Sequence, residues 1–111
     1  MRDVEVLRDR RQLYRELPDG TVANVYTLKV ENKDRMAHRF RIDAELERGG
    51  ELRLSAHEVE VGASQIVPIT LTAIAPKDAS TGTQDIEFTV QATDQPELSR
   101  ERESRFFGVA P

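Results

Sequence analysis

Two histidines, His38 and His57, are the chain's only imidazoles. The run Met36-Ala37-His38 sets a thioether beside an imidazole, and that donor pair suits copper. His57 starts a later segment that a compact fold can bring to the same place. One methionine and two histidines are few ligands for a defined site. Met36, His38 and His57 are therefore expected as turn residues, with a copper site as the alternative. Ser55 and His57 are two positions apart and share a face on an extended chain. A nucleophilic serine also needs an orienting carboxylate and an oxyanion hole, and no Gly-x-Ser-x-Gly occurs. The acid pairs Glu58/Glu60 and Glu101/Glu103 share a solvent face rather than bracketing a groove, which glycoside chemistry would need. Gly49-Gly50 lacks the Lys-Ser/Thr of a phosphate-binding loop. Asp78 and Asp85 are too sparse for a calcium loop. No catalytic residue is assigned, and the chain is read as non-enzymatic.

The cationic segment is harder to set aside. Arg8, Arg10, Arg11 and Arg15 crowd eight positions that also hold Leu13 and Tyr14. Neighbouring Asp3, Glu5, Asp9 and Glu16 offer surface ion pairs. The other reading is a contact surface, either for lipid headgroups or for an acidic partner protein. These four arginines are the partner-binding candidates.

The totals bound the alternatives. The chain has 111 residues, a length that suits one domain. It has no cysteine, which removes cysteine nucleophiles, iron–sulfur ligation and Cys-based zinc sites. A formal charge of −4 argues against a general nucleic-acid binder. No small-molecule substrate is implied. No apolar run approaches the roughly 18 residues of a membrane span, and the start is not that of a signal peptide. Met1, followed at once by Arg2-Asp3, reads as an added start on an excised fragment.

The elements that must position these residues are strands. From Asn24 to Asn32, Tyr26, Leu28 and Val30 alternate with Val25, Thr27, Lys29 and Glu31, the period of a strand with one buried face. Asn24 and Asn32 bracket it, and their amides are expected to bond nearby backbone. Val4 and Val6 mark a short edge strand over 3–9. Pro18-Asp19-Gly20 is a turn signal after an irregular crossover. Residues 38–46 place Phe40, Ile42, Ala44 and Leu46 inward. Leu52 and Leu54, then Val59 and Val61, mark two short strands joined through Ser55-Ala56-His57. Residues 65–74 carry Val67, Ile69, Leu71 and Ala73 inward, with Pro68 predicting an edge or a bulge at that point. Residues 85–93 place Ile86, Phe88, Val90 and Ala92 inside. The last segment, Arg100 to Arg105, is charged on both faces, which suits an edge strand. Strand and turn signals at this spacing predict an all-β, immunoglobulin-like β-sandwich: about seven antiparallel strands in two sheets with Greek-key connections. Residues 1–20 are its lead-in edge strand and crossover, and 21–111 the sandwich.

Arg8-Asp9-Arg10-x-x-Leu13-Tyr14-Arg15, then Gly20-x-x-x-Asn24-x-Tyr26-x-Leu28-x-Val30-x-Asn32-Lys33, resembles the C-terminal domain of the FixG/CcoG-type cytochrome c oxidase accessory proteins. Val61-Gly62-Ala63-Ser64, Ala75-Pro76, Gly82 and Ile86-x-Phe88-x-Val90 fit the same domain. The resemblance implies a fragment of a polytopic inner-membrane protein that carries its iron–sulfur clusters elsewhere. It implies a place on the periplasmic side and support for assembly and copper handling of a cbb-type oxidase. No cofactor is expected in this fragment. The implied partner is a protein, an oxidase subunit or a copper-delivery protein. The alternatives are a copper-binding domain and a generic extracytoplasmic adhesion or carbohydrate-associated sandwich.

Overall fold

The computed structural model describes every residue except Met1, Arg10, Arg11, Leu13 and Pro111, and of Arg2 and Asp3 only the backbone. The described residues form nine strands rather than about seven: β1 (Arg2–Arg8), β2 (Arg15–Glu16), β3 (Val22–Asn32), β4 (His38–Leu46), β5 (Glu51–Leu54), β6 (Glu58–Val61), β7 (Ile66–Ala75), β8 (Thr83–Ala92) and β9 (Ser99–Phe107). One addition to the expected set is β2, a two-residue rung opposite Ala23 and Val22. A pairing so short leaves no trace in hydrophobic alternation.

The strands make two antiparallel sheets. One runs β1-β3-β7-β5 with β2 beside β3, and the other runs β6-β4-β8-β9. The chain crosses between the sheets at every connection from β3 to β8. β3 pairs with β7 inside one sheet, and β4 with β8 inside the other. Between the sheets lies an aliphatic core with four fully buried aromatic side chains, Tyr26, Phe40, Phe88 and Phe106. The rings of Tyr26 and Phe88 meet edge-on at 5.2 Å, a geometry that the ring quadrupoles favour. The alternation expected for the main strands holds: Tyr26, Leu28, Val30, Phe40, Ile42, Leu46, Ile86, Phe88 and Val90 are all buried.

Pro68 behaves as an edge residue within an interior strand. It pairs with Lys29 of β3, while β5 reaches only from Ile74 to Leu71. The Thr70 amide points toward β5, donating to Ser55 Oγ. The same side at Pro68 lies beyond the end of β5, so its missing donor breaks no ladder bond. The charged last strand, β9, is an edge as expected.

The register defines two poles. The β3–β4, β6–β7 and β8–β9 turns sit at the pole where Arg2 pairs with Asn32. The 17–21 turn, the β4–β5 turn, the β7–β8 loop and the end of β9 sit at the other. Gly20, at φ 87°, closes the first of these, with its amide on Leu17 O. No helix among the described residues is long and apolar enough to cross a membrane.

Candidate functional site

The arginine segment lies along one edge of the β1-β3-β7-β5 sheet. β1 ends at Arg8, opposite Tyr26, and β2 resumes the same edge at Arg15, opposite Ala23. Arg10 and Arg11, between them in sequence, lie outside the described residues. Arg15 is exposed. Arg8 has a structural contact: its guanidinium carbon lies 4.5 Å from the centre of the Phe107 ring, within cation–π range.

A groove of about 410 Å³ opens where this segment passes the outer face of the sheet. Its floor is Ala23 and Val25 of β3 with Thr72 and Ile74 of β7, and Tyr14 and Arg15 line it from the segment. Ala23 faces Ile74, and Val25 faces Thr72, in the β3–β7 register. The floor is therefore a block of uncharged, mostly β-branched side chains on a solvent-facing surface. Ile74 is only 8% exposed although it points away from the core, whereas Val25 is 39% exposed. Outward placement of Val25 is legible in the alternation. That it meets Ile74 and Tyr14 in a groove is not, because those residues come from distant parts of the chain.

The opposite sheet presents a different outer face. Glu45, Glu87 and Glu103 are direct cross-strand neighbours on β4, β8 and β9. Glu58 and Glu60 oppose Arg41 and Arg39, so this acid pair is one side of a solvated charge ladder.

The two histidines do not come together. The amide of Ile42 donates to His57 O, which places His57 beside Ile42, four residues along β4 from His38, or about 13 Å at strand rise. Ser55 Oγ accepts the Thr70 amide and serves as a backbone bridge. His38 is almost fully buried, with both ring nitrogens engaged. Its Nε2 lies 2.8 Å from Asp34 Oδ2, and its Nδ1 2.8 Å from Asp94 Oδ2. Hydrogen bonds that the ring donates, first to Asp34 and then to Asp94, raise its pKa above the ordinary histidine value, against the opposing effect of burial. Bonding to His38 in turn holds both carboxyls below their ordinary value. A protonated ring between two carboxylates has no lone pair to give a metal. Met36 is 66% exposed on the same turn. Among the described residues no three His, Cys, Asp or Glu side chains converge as a metal site would require.

Two further groups have roles that the residue types alone do not reveal. Asn24 points into the sandwich, not toward its neighbours. Its Nδ2 donates to Phe107 O, and its Oδ1 accepts the Phe107 amide, each at 2.8 Å. Tyr26 Oη donates to Arg105 O at 2.8 Å. Burial pushes the Tyr26 phenol far above its ordinary pKa, with Arg8 partly opposing, so it stays a donor. Asn32 does bond nearby backbone, at Met36 O, and also reaches Val61 O.

This is an immunoglobulin-like sandwich in which the described polar clusters brace strands and turns. The chain belongs to the family described as "IG-like fold at C-terminal of FixG", whose model matches residues 1–109. Among solved structures it is similar to a FixG-related protein from Vibrio parahaemolyticus, with 26% identity and a TM-score of 0.78, over 96% of this chain and 95% of that one. A more distant likeness, 14% identical with a TM-score of 0.52 over 97% of this chain and 84% of the other, is to the ASH/PapD-like domain of human CEP192 (PapD-like domain 7), and it concerns the fold alone. No curated protein matches the chain.

Proposed function

We propose that this chain is a non-catalytic docking domain on the periplasmic side of a membrane-bound iron–sulfur protein, where it supports assembly and copper handling of a cbb-type cytochrome c oxidase. The observation that carries this reading is the groove. Cationic Arg15 stands beside an uncharged floor of Ala23, Val25, Thr72 and Ile74. Apolar area with polar rims is what protein interfaces use. Membership of the FixG C-terminal family supports the parentage.

The direction of β1 favours a protein over lipid headgroups as the partner. In a FixG-type parent this domain is C-terminal, so the membrane part lies on the N-terminal side of β1. Arg8 is six residues beyond Arg2 along β1, about 20 Å at strand rise. Arg8 and Arg15 then lie at the end of the sheet edge remote from the anchor, within reach of a second protein: an oxidase subunit or a copper-delivery protein.

The test uses the full-length parent. Replacing Arg10, Arg11 and Arg15 by Glu is expected to reduce co-purification of the oxidase subunits and to slow oxidase assembly. If neither this triple change nor removal of the whole domain altered capture or assembly, the reading would fail.

A further inference from the structure

At the pole opposite the groove, His38 joins two turns that are far apart in sequence. Asp34 belongs to the β3–β4 turn and Asp94 to the β8–β9 turn. Each gives one carboxylate oxygen to one ring nitrogen at 2.8 Å. We propose that Asp34, His38 and Asp94 form a proton-operated latch that clasps these turns while the imidazole is protonated and releases one of them when it is not.

The donor count gives the reason. A histidinium has two N–H donors, whereas a neutral imidazole has one donor and one lone pair. Only the protonated ring can donate to both carboxylates. On deprotonation, one carboxylate oxygen faces a lone pair across the same short gap, and that contact turns from attractive to repulsive. The carboxylates can move apart, because their side chains are 39% and 48% exposed, whereas the ring is 3% exposed and fixed. Among the described residues around the ring, no other charged group takes their place. From β4 itself the ring meets Phe40, at 6.0 Å between centroids. Across β6 its register partner is Val61, which is apolar and buried. Asn32 of β3 is occupied with Met36 O and Val61 O. Lys33 and Arg35 flank Asp34 in the turn, and the Arg35 amide donates to Asp34 Oδ1. Of these groups, the two that bear on the imidazole charge are Asp34 and Asp94.

The pH window follows from the direction of the shifts. His38 is raised, so its contribution is complete below the ordinary histidine pKa of about 6.5. It is lost as pH rises through the higher folded value. Asp34 and Asp94 are lowered, so theirs is lost only as pH falls through the carboxylate range. The latch is closed in mildly acidic solution and opens on the alkaline side.

The test is a pH titration of the 111-residue chain by imidazole NMR, with His57→Gln present so that the one remaining ring is His38. Amide exchange in residues 33–37 and 93–98 is followed at each pH, with residues 47–50 of the other pole as the internal reference. His38 is expected to titrate above about 6.5. Protection in at least one of the two turns, corrected for intrinsic exchange, should fall with that titration while the reference turn stays constant. Asp94→Asn should shift the midpoint downward, and His38→Gln should abolish the pH-dependent step in exchange. A His38 midpoint at or below the free-histidine value would overturn the latch. So would turn protection that ignores the titration in the parent chain, which needs no variant at His38 to fold.

Discussion

Asn24 and Tyr26 carry more of this fold than their size suggests. Both project from the buried face of β3 and both end on the backbone of β9. β9 brings little apolar side chain of its own to the core: among its inward positions only Phe106 is buried. Polar bonds to its backbone, with Arg8 over Phe107 and Arg102 Nε on Val4 O, substitute for that missing area. Removing Asn24 leaves a buried amide and a carbonyl without partners, and such groups cost about 1–3 kcal/mol each. Asn24→Ala is therefore expected to lower unfolding free energy by about 2–4 kcal/mol, and Tyr26→Phe by about 1–2 kcal/mol. Urea denaturation measures both. Equal midpoints for the variants and the parent chain would remove the bracing role. The alternation of β3 already placed Tyr26 inside. It also predicted amide-to-backbone bonds for Asn24 and Asn32, and Asn32 makes one across four residues. Asn24 reaches 83 residues away, and no local pattern carries the identity of so distant a partner. His38 is the same case: its bond to Asp34 spans one turn, while Asp94 lies 56 residues on.

At the level of elements, strands were readable wherever one face is buried, because burial imposes a period of two. β4 has the bounds that alternation gives, and β3, β7 and β8 differ from the expected bounds by a residue or two. The glycine pair after β4 was readable as a break, but its packing was not. A Cβ on Gly50 would lie 2.5 Å from both Ile74 O and Leu46 Cδ1. One of those atoms is the backbone of β7, which cannot give way without disturbing its pairing with β3. Gly50→Ala is expected to destabilise the domain by about 1–3 kcal/mol through this overlap. Gly49→Ala is a control for space, since a Cβ there meets nothing within 4 Å, although its φ of 83° adds backbone strain. Thermal unfolding compares them, and a Gly50→Ala midpoint above that of Gly49→Ala would contradict the packing argument. The order of strands in each sheet rests on pairings between β3 and β7 and between β4 and β8. Alternation is blind to those pairings, and none of them was read from the sequence.

At the scale of the whole molecule, the sandwich separates two surfaces and two poles. One sheet turns carboxylates outward at Glu45, Glu87 and Glu103. The other turns outward the uncharged floor beneath Tyr14 and Arg15. The arginine segment stood out in the sequence as a charge cluster. The apolar half of the surface did not, because Val25 and Ile74 look like ordinary strand residues until β3 and β7 are placed side by side. The proposed partner contact is on that second face, and the His38 latch lies at the far pole, outside it. The most direct measurement is site-specific photo-crosslinking in cells from the full-length parent, with the reactive side chain at Val25 in one strain and at Glu87 in another. Both positions are solvent-facing, so both variants are expected to fold. The account predicts a crosslink to an oxidase subunit or copper-delivery protein from Val25 and none from Glu87. Crosslinks from Glu87 alone, or from neither position while oxidase assembly proceeds normally, would contradict it.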